Sequence, residues 1–146
     1  MRKYEIKGRV TETNRSNQNE VEECTRELRR KWYRKIFRAY CPRALWSYGI
    51  PYVYKIMKIT ALFAADLQGR TPLEALTGET PDISQYMDFG FYNRVCFKGD
   101  LGLGETKLGR FLGVPHHIGS LMSYWVFPAS GIPMYITTVQ QVTNLE

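Results

Sequence analysis

The sequence predicts an α+β protein, with a helical amino-terminal part followed by a small antiparallel β-barrel or curled sheet. Two observations carry this. Apolar residues recur every three or four positions through Val21, Cys24, Leu28, Trp32, Ile36 and Tyr40, as one buried helix stripe requires. After Gly78 the chain turns to short aromatic or β-branched runs between Gly, Asp, Pro and Ser clusters, the pattern of closely spaced strands. A boundary near Tyr86 divides residues 1–85 from residues 86–146.

Taken in order, residues 1–10 alternate like a short strand, with Tyr4, Ile6 and Val10 on one side. Residues 11–19 are polar and end in a helix cap at Asn17 or Asn19. The first helix runs from there to Pro42, which stops it, and makes a rod roughly 30 Å long. A second helical stretch spans about 43–63, with Pro51 inside it predicting a kink or an early break. Gln68-Gly69-Arg70 is a turn. Thr71-Pro72-Leu73-Glu74 supplies a threonine cap, a proline at the first helical position and a glutamate at the third, opening a short helix to Thr77. Strands are expected over 89–98, 109–116, 123–128 and 134–143.

Charge is unevenly placed. Residues 1–60 hold 15 Lys and Arg against 6 Asp and Glu, a net of +9, whereas residues 61–146 hold 5 against 8. A basic half joined to a mildly acidic half predicts a polyanion-binding surface on the first. The hydrophobic content of 44 % supports a real core. Cys24, Cys41 and Cys96 form no pattern, which argues for reduced thiols in an intracellular protein and against a disulfide framework or zinc site. Residues 1–5 lack the apolar stretch of a signal peptide. The longest apolar run, residues 56–67, is interrupted by Lys58 and Asp66 and is too short to span a bilayer.

The chemistry concentrates on the first helix. At 100° per residue, Glu22, Arg26, Arg29 and Tyr33 fall within about 60° of one another, and the apolar stripe centres roughly 110° away. Arg30, Lys31, Arg34, Lys35 and Arg38 extend the positive charge along the rod. A carboxylate there can bind a divalent cation that grips a phosphate oxygen, while arginines one and two turns on hold neighbouring phosphates. A lone glutamate holds Mg²⁺ weakly. The plain alternative is a salt-bridged solvent face, because Glu and Arg four apart are common on exposed helices.

Gln18-Asn19-x-x-Glu22 followed by Arg26-Glu27-Leu28-Arg29-Arg30 resembles the end of a retroviral-type integrase core, in the version found in copia-type LTR retrotransposons. Pro42-Arg43-x-Leu45-Trp46 resembles the start of that family's next core helix, and Gly69-Arg70-Thr71-Pro72-Leu73-Glu74 its Thr-Pro-x-Glu stretch. Phe89-Gly90-Phe91, the run from Lys107 to Val114 and Thr137-Thr138-Val139 resemble the SH3-like barrel that follows the core, with Phe-Leu-Gly on a central strand. Order and spacing of these short motifs cover about residues 15–146.

The resemblance implies an RNase-H-like core end and an SH3-like barrel. It makes Glu22 the last acid of an Asp-Asp-Glu triad and a Mg²⁺ ligand. It makes Arg26, Arg29, Arg30, Lys31 and Arg34 DNA contacts. The implied partners are element ends, target DNA and other integrase subunits, in the nucleus. In the intact enzyme the implied reaction is two-metal strand transfer, a DNA 3′-hydroxyl attacking a phosphodiester.

The chain departs from the family upstream. No Asp precedes Asp66, so both aspartates of the triad and the His/Cys zinc module are missing. As this chain alone, strand transfer is expected to be undetectable, and no Mg²⁺ is expected to bind. Glu20 or Glu23 can also be read in register with the motif; Glu22 fits best by its spacing from Asn19, Arg26 and Arg29. Helices taken from such a core lack the strands they normally cover, which predicts an exposed apolar stripe on the first helix.

A second class of function is a non-catalytic interaction module built on the barrel, with aromatic strand faces binding a protein or peptide. His116-His117 has no third ligand nearby, which favours a structural role at a turn. The glycines of residues 99–104 precede a strand and no Lys-Ser/Thr, so they read as a hairpin loop and not a phosphate loop.

Overall fold

The computed structural model describes residues 20–61, 67–99, 104–115 and 123–142. The expected strand over 1–10, the Asn17 or Asn19 cap, the Gln18-Asn19 pair, His116-His117 and the centre of the glycine run lie outside the described residues.

Helix α1 (Glu20–Ala39) ends three residues before Pro42. Tyr40 takes a left-handed conformation, φ 50°, which lets the Cys41 amide donate to the Ile36 carbonyl at 3.1 Å and the Tyr40 amide to that of Phe37 at 3.4 Å. This is a Schellman stop with an aromatic residue in the glycine position. A 3₁₀ turn (Arg43–Leu45) then leads into α2 (Trp46–Ile59), which continues through Pro51. The second helix is shorter than the expected 43–63, because Thr60 has extended backbone (ψ 130°) and its hydroxyl donates to the Ile56 carbonyl.

Gly49 decides how the two helices meet. A Cβ at that position would lie 2.0 Å from two ring carbons of Trp32, so the Trp32 indole rests directly on the α2 backbone. Helix α3 (Pro72–Thr77) opens with the expected capping box. Thr71 Oγ1 accepts from the Glu74 amide at 3.0 Å, Glu74 Oε2 accepts from the Thr71 amide at 3.4 Å, and Gly78 closes the helix at φ 80°. A four-residue helix, α4 (Ser84–Met87), follows an Asp82 carboxylate that accepts from the Ser84 amide at 2.9 Å.

The strands are β1 (Arg94–Lys98), β2 (Thr106–Gly113), β3 (Tyr124–Pro128), β4 (Met134–Ile136) and β5 (Val139–Gln141). They form one antiparallel sheet in the order β4-β3-β2-β1-β5. Two residues, Thr137 and Thr138, join strands on opposite edges of this sheet. Three Cα steps span at most about 11 Å, so the sheet curls until its edges nearly meet. The Phe111-Leu112-Gly113 segment lies on the central strand. A register shift between Phe111 and Gly113 turns both Phe111 and Leu112 inward, as a bulge does. Gly113, at φ 117°, lets that bend approach Tyr52 of α2.

The expected 89–98 strand begins only at Arg94. Tyr92 takes a left-handed conformation, φ 65°, which breaks the extended run. Phe89 and Phe91 therefore plug the core from a turn. The expected 109–116 strand starts earlier, at Thr106, and ends at the Gly113 bend; the expected 134–143 strand is divided between the two sheet edges.

One core joins helices and sheet across the expected boundary near Tyr86. Trp32 meets Phe91 edge-on at 5.5 Å, and Tyr52 meets both Phe91 (5.2 Å) and Phe111 (6.3 Å). Phe89, Phe111 and Tyr124 continue the cluster. The exposed stripe expected on α1 is thus corrected in its carboxyl-terminal half, where Trp32 and Ile36 are buried. Val21 and Cys24 remain exposed, two turns or more before Trp32, which meets Gly49 and Phe91.

Candidate functional site

The apolar stripe of α1 fixes which way its charges face. With Trp32 and Ile36 buried, Glu22, Arg26, Arg29, Arg30, Tyr33 and Arg34 are exposed, and Lys31 is half-buried. The residues singled out in the sequence lie along one helix over about 18 Å of axis. Glu22 and Arg26 form no ion pair among the described residues, nor does Arg29.

Glu27 divides the helix electrostatically. Its carboxylate meets the Arg30 guanidinium at 2.9 Å and the Lys31 ammonium at 3.9 Å. These partly exposed pairs contribute little to stability, yet they offset the positive charge of the central turns. Beyond them Arg34, Lys35 and Arg38 have no carboxylate partner among the described residues. Cations near a helix carboxyl terminus also complement its dipole, which accounts for charge there without any ligand.

The dipole does not account for the groove these cations line. Lys31, Arg34, Lys35 and Arg38 face Phe91 and Asn93, on the turn before β1, across a cavity of about 340 Å³. Lys35 is half-buried, its ammonium 5.8 Å from the centre of the Tyr52 ring. Burial, and then the neighbouring charge of Arg38, lower its pKa. Asn93 stays exposed, and any side chain at Gly90 would press on its amide at 3.1–3.3 Å.

A second basic pair lies on the outer face of the sheet. Arg94 and Arg110 are direct cross-strand partners. The Arg110 guanidinium stands 5.0 Å from the centre of the Tyr92 ring and donates to the Tyr92 carbonyl at 3.3 Å.

Glu22 stands apart from all of this, nine residues and about 13 Å of helix before Lys31. Among the described residues no three His, Cys, Asp or Glu side chains come together to hold a metal ion. Glu22 offers one ligand of the two-metal set that the resemblance implies.

Most aromatic residues of the sheet and the turn before it lie in the core. Phe89, Phe91, Phe97, Phe111 and Tyr124 are buried. Trp125 is the main departure: it stacks on Tyr135 at 3.8 Å and meets Tyr48 edge-on at 5.3 Å. These rings, with Pro51, Tyr52 and Pro115, line a cleft of about 220 Å³. No helix among the described residues is long and apolar enough to cross a membrane.

Lys35 and Arg38 are legible in the sequence as part of a basic helix face. Asn93 is not, since nothing in Phe-Tyr-Asn-Arg marks it as the opposite wall. The chain matches no protein-family model, no curated protein and no solved structure.

Proposed function

We propose that this chain corresponds to the last helices of a copia-type retrotransposon integrase core and the SH3-like barrel after them, and that it binds DNA. The contacts are Arg26, Arg29, Arg30, Lys31 and Arg34, with Glu22 in the place of the triad's last acid. One observation supports the DNA-binding part most directly. The helix sets Trp32 and Ile36 into the core, Trp32 against α2 and the turn before β1, and leaves its guanidiniums exposed. Such a row suits a phosphate backbone. Integration belongs to the intact enzyme, and DNA binding is the part of it read from these residues.

Binding is expected to be indifferent to sequence and sensitive to salt. Five phosphate contacts give a slope of about −4.5 in log affinity against log salt. Fluorescence anisotropy with a labelled duplex measures it. Charge reversal at Arg26 and Arg29 should weaken binding at least tenfold, and unchanged affinity overturns the reading.

The cleft of Tyr48, Trp125 and Tyr135 favours a second reading, a peptide-binding module built on the sheet. In that case the same charge reversals leave affinity for the partner intact, while Trp125→Ala abolishes it.

A further inference from the structure

We propose that the groove between the carboxyl-terminal half of α1 and the turn before β1 is a phosphate seat. This inference rests on the DNA-binding reading for the source of the phosphate, a nucleic-acid backbone, but not for the chemistry of the site. Lys31, Arg34, Lys35 and Arg38 follow the i, i+3, i+4, i+7 spacing that puts four side chains on one helix face. Asn93 faces them across about 340 Å³, and Phe91 forms the floor.

Three features make this a site and not a solvated basic face. First, no carboxylate among the described residues lines the groove. The nearest acid on the helix, Glu27, is engaged one turn earlier by Arg30 at 2.9 Å and Lys31 at 3.9 Å. The like charges beyond it repel one another at i,i+4 spacing, and an anion between them relieves that repulsion.

Second, Lys35 is half-buried against Tyr52. A half-buried ammonium with no carboxylate partner among the described residues is costly, and a phosphate oxygen supplies a counter-charge. Third, the Asn93 amide has no side-chain hydrogen-bond partner among the described residues. It provides a neutral donor opposite the cations, and Gly90 leaves it room. Two guanidinium forks and two ammoniums donate only, and the Asn93 amide can donate as well, which matches a phosphate better than a neutral or cationic ligand. The volume is at the lower end of the ~300–1,000 Å³ found for ligand clefts and suits one phosphate with an adjoining sugar.

The seat shares Lys31 and Arg34 with the residues assigned to DNA from the sequence and adds Lys35, Arg38 and Asn93. Lys35 is nine residues, about 13 Å of helix, past Arg26. The two halves of α1 can therefore be tested separately. In the full ¹⁵N-labelled chain, inorganic phosphate titrated at constant ionic strength should shift the Asn93 side-chain amide signals saturably. The Lys35→Gln/Arg38→Gln variant should lose that shift, and Arg26→Gln/Arg29→Gln should keep it, with circular dichroism confirming that both fold.

For a labelled duplex, the Lys35/Arg38 variant should bind at least tenfold more weakly, with a salt slope shallower by about 2. An Asn93 signal that phosphate does not move overturns the seat, even where duplex binding through Arg26 and Arg29 survives. A saturable phosphate shift without duplex binding sustains the seat, assigns it to free phosphate and overturns the DNA reading instead.

Discussion

Replacing Gly49 by Ala tests the contact that joins α1 to α2. Intrinsic preference favours the change, because alanine is better than glycine in a helix interior by ~1 kcal/mol. Packing opposes it. The new Cβ would stand 2.0 Å from Cη2 and Cζ3 of Trp32 and 2.8 Å from Cε3, where carbons in contact keep ~3.5–4.0 Å. The indole must retreat by about 1.5–2 Å, yet it is only 4 % exposed and is fixed edge-on to Phe91. Overfilled cores lose ~1–3 kcal/mol, and a rigid ring against a helix backbone belongs at the upper end. Subtracting the propensity gain leaves a net loss of about 2 kcal/mol. Urea unfolding followed by tryptophan fluorescence and circular dichroism should show a lower midpoint with an unchanged slope. A Trp32→Leu background completes a double-mutant cycle. There the ring is gone, and Gly49→Ala should become neutral or stabilising by up to ~1 kcal/mol. A stabilising effect in the native background, or an equal loss in both backgrounds, refutes the reasoning.

Thr71→Ala removes the side-chain oxygen that accepts from the Glu74 amide in the α3 capping box and should cost about 1 kcal/mol, while Thr71→Ser keeps the cap; equal denaturation midpoints for the two variants would contradict it. Burial pushes the Cys41 thiol up to about 11, whereas Cys24 is exposed. At pH 8 a thiol reagent should label Cys24 at once and Cys41 only at the rate of structural opening. The same shift sets a pH dependence. The unfolded thiol loses its proton near 9.0 and the folded one near about 11, so its contribution is complete below pH 9 and is lost as pH rises through 11. Burial raises Tyr52, Tyr86 and Tyr124 in the same direction and lowers Lys35 and Lys55, which oppose them. Comparison with Cys41→Ala isolates the thiol: its thermal midpoint should fall less between pH 9 and 11, and parallel curves would rule the effect out.

What the sequence made legible is what local chemistry decides. The α3 start could be read because Thr71, Pro72 and Glu74 act within four residues. The α1 stripe could be read because its period is intrinsic to the helix, and the sheet was visible as a set of short apolar runs. The failures occur where distant packing overrides local preference. Residues 89–93 have the aromatic composition of a strand, but Tyr92 is held at positive φ while Phe89 and Phe91 turn into the core. Thr137 and Thr138 are good strand formers, so nothing local announces that they link opposite edges of the sheet. The break there is a property of the topology.

The same distinction explains the candidate site. Positive charge on α1 is a one-dimensional property and was visible as a run of Lys and Arg. Its distribution in effect is three-dimensional. Glu27 offsets Arg30 and Lys31, and the sheet brings Asn93 to within reach of Lys35 and Arg38, 55 residues or more earlier in the chain. The uncompensated charge therefore centres about two turns beyond the arginines that motif spacing selects. The packing that makes this so is the Trp32 contact. Its ring sits on the Gly49 backbone and against Phe91, and Phe91 is also the floor of the groove. A residue that anchors the helix to the core thereby sets the distance between the cations and Asn93, so loosening Trp32 should widen the groove as well as weaken the fold.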